Sequence, residues 1–92
     1  MAIGTLHHSH PDVVRRLRRA QGQLSSVVEM IEKQRSCLVI TQQMHAIERA
    51  LAHAKETLIH DHLDHCLEEA MEAGGSRRKA AMAEFKEITR YL

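Results

Sequence analysis

Three residues of this chain have the types and spacing of a metal site: Cys37, His62 and Cys66. His62 and Cys66 stand four positions apart in His60-Asp61-His62-Leu63-Asp64-His65-Cys66, so a helix puts them on one face. Thiolate and imidazole are soft-to-borderline donors that suit Cu(I), Ni(II), Zn(II) or Co(II). Cys37 lies 25 residues before His62. On one continuous helix that is roughly 37 Å at the α-helical rise, too far for a single chain to close. Two such helices, packed antiparallel about a two-fold axis near Ala50 and Leu51, set Cys37 of one beside His62 and Cys66 of the other. The spacing predicts a metal site shared between subunits and a regulator that senses its occupancy.

The neighbouring histidines divide by role. His60 is a candidate for supporting the ligands, whereas His65 reads as a solvated residue of the polar face. His45 and His53 read as structural or surface residues. His7, His8 and His10 sit near the N-terminus and are candidates for a fourth ligand, set against a plain histidine-rich tail. Met30, Met44, Met71 and Met82 fall on or near apolar stripes and read as core filler. No nucleophile motif, glycine-rich phosphate loop or paired-carboxylate cleft is present, so the expectation is a protein that is not an enzyme.

The elements that hold these residues must be helices. The chain has 92 residues, no Trp, one Pro and four Gly, and is rich in Ala, Leu, Glu, Arg, Met and Gln. Residues 1–10 read as a flexible His-containing arm and 11–92 as one small all-α domain. Pro11 and Asp12 suit a first helical turn. Val13, Val14, Leu17, Ala20, Leu24, Val27, Val28 and Ile31 then recur every three or four residues, predicting an amphipathic helix. Gln34-Arg35-Ser36 is a break, with Ser36 a candidate N-cap. A second stripe runs Ile40, Met44, Ile47, Leu51, Ala54, Leu58 and reaches His62 and Cys66 at the same step. Gly74-Gly75 ends this helix. Ser76 can cap a third, with Ala81, Phe85, Ile88 and Leu92 inward and Arg77, Arg78 and Lys79 outward.

Charge is unevenly spread. Between Val13 and Leu24 stand Arg15, Arg16, Arg18 and Arg19 with no acid, and between Glu56 and Glu72 stand six acids with no Lys or Arg. The first segment suits a polyanion and the second a cation. The arginine run reads as unrelieved by acids at helical spacing, and Arg49 and Lys55 extend it. No helix-turn-helix or zinc finger is apparent, so DNA contacts should fall mainly on phosphates and read shape. No signal peptide or membrane span is apparent, which makes the cytoplasm the default. Two cysteines there are ligands or reactive thiols before they are a disulfide.

Nearly the whole chain resembles the CsoR/RcnR family, the copper-sensing operon repressors and nickel/cobalt regulators. The resemblance rests on Arg16-Leu17-Arg18-Arg19-Ala20-Gln21-Gly22-Gln23, on Cys37 followed by Gln42-Gln43, and on the His60–Cys66 stretch. It implies a three-helix protomer, a dimer built on an antiparallel four-helix bundle, and a dimer-of-dimers tetramer. It also implies repression by the metal-free form and release of DNA on ligand binding. By position, Cys37, His62 and Cys66 match the family's Cys-His-Cys triad. Glu84 resembles the carboxylate that couples metal to the third helix, and Arg16 matches a DNA-contact arginine. Ser36 stands where copper sensors often carry Tyr, and His53 where many members carry Arg. The arm histidines are similar to those of nickel sensors. Formaldehyde sensors carry Pro at the position of Ala2, and persulfide sensors lack the histidine found at His62.

The expectation is a cytoplasmic, DNA-binding repressor of a metal efflux or resistance operon, released from operator DNA by Ni(II), with Co(II) as a companion. A Cu(I) sensor of the same family is the alternative. Two further readings are a metal-buffering bundle that never binds DNA and a thiol or persulfide sensor using Cys37 and Cys66.

Overall fold

The computed structural model describes residues 8–72 and 74–92. Its elements are α1 (His10–Glu32), α2 (Cys37–Glu72) and α3 (Gly75–Ile88), followed by a single 3₁₀ turn over Thr89–Tyr91. The described residues contain no strand. This is the expected all-α, three-helix chain.

Local chemistry explains the boundaries. Pro11 lies in the first turn of α1, where its missing N–H costs no helical bond, and Asp12 meets the positive end of the dipole. At the other end, Arg35 N donates to Met30 O at 2.9 Å and Gln34 N to Ile31 O at 3.0 Å. This pair of bonds closes the helix in a Schellman turn, with Gln34 left-handed at φ 57°. A non-glycine residue there costs about 1 kcal/mol, which the two closing bonds offset. Ile40 N then donates to Ser36 O at 3.0 Å, opening α2 after the expected break. Gly75, at φ 60°, turns the chain into α3. Ser76 therefore lies inside α3 rather than capping it; Gly74 holds the N-cap position and makes no side-chain bond there.

The chain divides into two units, one spanning Pro11–Lys55 and the other joining 56–92 to the residues just before Pro11. In the first, Val13, Ala20 and Val27 of α1 and Ile47 and Ala54 of α2 are buried, each set repeating at seven residues. In the second, Ile59, Cys66 and Ala70 of α2 and Ala81 of α3 are buried, with Phe85 and Ile88 half-buried. Leu92, expected inward, is exposed because the 3₁₀ turn ends the helix before it.

The apolar stripes are wider than these cores. On α1, Val14, Leu17, Leu24, Val28 and Ile31 remain exposed, and on α2 so do Met44, Leu51 and Leu58. α1 and α2 thus each have one seam buried within the chain and a second that is not. Of the four methionines expected as core filler, Met30 is half-buried, whereas Met44 at 50%, Met71 at 81% and Met82 at 36% are exposed within this chain.

Candidate metal centre

Two consecutive turns of α2 and one residue of α3 make the candidate cluster. His62 and Cys66 project from consecutive turns of α2, and α3 brings Glu84 against both. Glu84 Oε2 is in direct hydrogen-bond contact with His62 Nε2 and lies 3.8 Å from Cys66 Sγ. One donor atom from each of the three residues falls within 4.8 Å of the others. Cys66 is buried, His62 half-buried and Glu84 exposed, so the cluster opens from the interior toward solvent. It borders a cavity of about 250 Å³ that Ala80 and Ala81 of α3 also line. Small side chains on that side of α3 leave the room.

The electrostatics favour a cation. Burial pushes the Cys66 thiol up to about 11, and the nearby Glu84 charge and its hydrogen bond add to the shift, followed by Glu69. The thiol therefore keeps its proton at neutral pH, and a thiophilic ion must displace it. The Glu84 carboxylate meets the His62 imidazole at Nε2 and fixes the orientation of the ring. A thiol, an imidazole and a carboxylate fit a borderline transition metal.

Other expected residues fall elsewhere. Cys37 opens α2, is exposed, and is not part of this cluster. His60 is exposed on α2. His8 is exposed, His10 is the half-buried first residue of α1, and His7 lies outside the described residues. His65 corrects the expectation of a solvated histidine. It lines the cavity, its ring centroid 6.4 Å from that of His62 and its Nε2 3.3 Å from Glu69 Oε2. Glu69 escaped sequence reasoning, although its i+4 spacing from His65 was the available signal.

The arginine run belongs to the other unit. Arg15, Arg16, Arg18 and Arg19 are all exposed on α1, as are Arg49 and Lys55 on α2. The run does have a compensating acid. Arg15 Nη2 donates to Asp12 Oδ1 at 2.5 Å and Arg16 Nε to Asp12 Oδ2 at 2.7 Å. These hydrogen bonds, Arg16's first, lower the Asp12 pKa. Arg16 also places Nη1 3.3 Å from Nδ1 of His53. His53 thus stands beside the arginine singled out for DNA contact.

Comparison with known proteins agrees with this chemistry. The family model described as metal-sensitive transcriptional repressor matches residues 9–91. The chain belongs to this repressor family. It is 34% identical over 70 residues to the copper-sensing transcriptional repressor RicR of Mycobacterium tuberculosis, covering 76% of this chain and 73% of that one. It is 28% identical over 92 residues to the copper-sensing transcriptional repressor CsoR of Bacillus subtilis, covering 94% and 91%. Among solved structures it is similar to the nickel-responsive transcriptional regulator InrS, with a TM-score of 0.78 and 29% identity over 94% of this chain and 96% of that one. The protein is thus a metal-sensing transcriptional repressor of the CsoR/RcnR family, and membership implies operator DNA and metal ions as partners. No helix among the described residues is long and apolar enough to cross a membrane.

Proposed function

We propose that this repressor holds the operator of a metal efflux or resistance operon in the cytoplasm and releases it on binding Ni(II), with Co(II) as a second effector. The observation that carries the reading is the His62–Cys66–Glu84 cluster at one end of α2, with a second thiol, Cys37, exposed at the other. A second copy packed antiparallel supplies its Cys37 to His62 and Cys66. The exposed seams along α1 and α2 support such a dimer and a tetramer built from it. An arm histidine, His7, His8 or His10, completes four ligands, while Glu84 and His60 support them from outside. Arg15, Arg16, Arg18, Arg19, Arg49 and Lys55 contact DNA phosphates.

Nickel is favoured by the arm histidines and by the likeness to a nickel-responsive regulator along nearly the whole chain. Cu(I) is the second reading, because the curated relatives are named copper-sensing and the triad alone offers two thiolates and an imidazole.

A gel shift with the protein's own promoter DNA, run in chelator and with each metal, tests the proposal. Retardation in chelator and release by Ni(II) are expected. Truncation before Pro11 should then weaken Ni(II) binding and change its d–d spectrum while sparing Cu(I). A truncated protein with unaltered Ni(II) affinity and spectrum would make Cu(I) the effector. Failure to bind DNA in any state would leave a metal-buffering bundle.

A further inference from the structure

Ser9 meets Asp61 across 52 residues of sequence. Its hydroxyl donates to Asp61 Oδ2 at 2.5 Å, and its backbone N–H donates to the same oxygen at 3.4 Å. Both residues are half-buried. A carboxylate that accepts twice from one residue forms a charge-assisted clasp, stronger than a neutral pair.

Its position is the informative part. Ser9 directly precedes His10, the first residue of α1. Asp61 thus sets a negative charge where the dipole of that helix is positive. On α2, Asp61 directly precedes His62, whose ring Glu84 holds. The residue that begins the arginine-bearing helix is therefore tied to the residue next to a metal donor.

We propose that the Ser9–Asp61 clasp is a positioning link from His62 to the start of α1, closed while operator DNA is held and loosened when metal takes His62. This rests on the repressor reading above. Asp61 and His62 share one turn of α2, so a ligand that reorients the His62 ring and its turn swings the Asp61 carboxylate as well. Oδ2 then leaves both Ser9 donors. The first turn of α1, with Asp12 and the two arginines it pairs, loses its anchor through the continuous backbone of the helix. A link of this kind has two arrangements that both ligands bias, which is what coupling between sites requires.

Ser9→Ala removes the hydroxyl donor without touching the metal donors, and Ser9→Thr returns a hydroxyl. Operator affinity is measured in chelator and with saturating Ni(II), with Cu(I) in parallel, and metal affinity is measured without DNA. Ser9→Ala should bind operator about tenfold more weakly in chelator, and metal should then weaken it by a smaller factor than in wild type. Ser9→Thr should recover both. Without DNA, Ser9→Ala should bind metal at least as tightly as wild type, because the opposing clasp is already open. A merely structural role for Ser9 would weaken operator binding equally with and without metal and leave the ratio unchanged.

Amide hydrogen exchange over residues 9–14 follows the clasp in the absence of DNA. Cu(I), which the triad holds without an arm histidine, should speed exchange there in wild type, whereas Ser9→Ala should exchange fast with or without it. A wild-type ratio in Ser9→Ala, or exchange at 9–14 that metal does not change, overturns the clasp. If wild type binds no operator, the repressor reading fails instead, and the exchange measurement alone decides the clasp.

Discussion

The two units of the chain differ in charge balance and in the contacts around their candidate functional residues. Each has local and cross-helix bonds: Arg16 meets His53 across helices in one, and His65–Glu69 and Glu87–Arg90 are local pairs in the other. In the unit spanning Pro11–Lys55, eight basic residues face four acidic ones, and the ion pairs run along one helix: Asp12 with Arg15 and Arg16, Glu29 with Lys33. In the other, eight acidic residues face five basic ones, and the bonds that shape the site reach across helices. His62 meets Glu84 over 22 residues of sequence and Cys66 meets it over 18. Local pairs on an exposed helix contribute little stability and leave the cations accessible. Bonds between helices fix the donor atoms, and burial, followed by the Glu84 charge, raises the Cys66 pKa. One unit is therefore suited to a diffuse polyanion and the other to a compact cation.

The largest effect should come from separating these two roles by mutation. His62→Ala or Cys66→Ala should cost at least about 100-fold in metal affinity. Operator binding in chelator should survive, because neither residue belongs to the basic unit. Competition against a chelating metal indicator, paired with a gel shift, checks both halves. If operator binding collapses with metal binding in either variant, the division does not hold.

The basic unit was largely legible in the sequence, and the donor unit only in part. The periodicity from Val13 to Ile31 gives α1 because a helix repeats locally, and His62 and Cys66 show themselves for the same reason. What periodicity could not show is which apolar residues are buried within the chain. Val13 is buried and Val14 is not, a distinction set by what lies opposite. Glu84 is reached only by family resemblance, since no local rule joins residues 22 apart. The bond between Ser9 and Asp61 gave no signal at all. Two features were within reach of helical spacing. Asp12 is at the i−3 and i−4 positions of Arg15 and Arg16, and His65 is one helical turn from His62.

The next effect concerns the arginines. Arg16→Ala should weaken operator binding and flatten its salt dependence by about 0.9 in log K per log unit of salt for each phosphate no longer neutralised. Metal affinity without DNA should stay at its wild-type value. Asp12→Asn tests the same charges from the other side. It leaves Arg15 and Arg16 without their carboxylate, so salt dependence should steepen and binding to unrelated DNA should increase. Salt titrations of all three proteins on operator and random duplexes would show it. An Arg16→Ala protein with the wild-type slope would remove that residue from the DNA surface.

The smallest effect concerns the thiol that Glu84 and burial keep protonated. Cys66 is raised from 9.0 to about 11, with burial the first cause and Glu84 the second. A group that holds its proton more tightly when folded stabilises the fold fully below its unfolded pKa. That stability drains away as pH rises through the folded value. The window for Cys66 is therefore pH 9 to about 11, with stability falling as pH rises. In a Cys37→Ser background only Cys66 ionises among the thiols, so thiolate absorbance follows it alone. Glu84→Gln removes the negative charge but leaves the burial, so the midpoint should fall yet stay above 9.0. The drop in melting temperature between pH 9 and 11 should shrink in step. A midpoint that ignores Glu84→Gln would mean that the cross-helix bond does not govern the thiol. Burial would then account for the raised thiol by itself, and Glu84 would act on the donor set through His62.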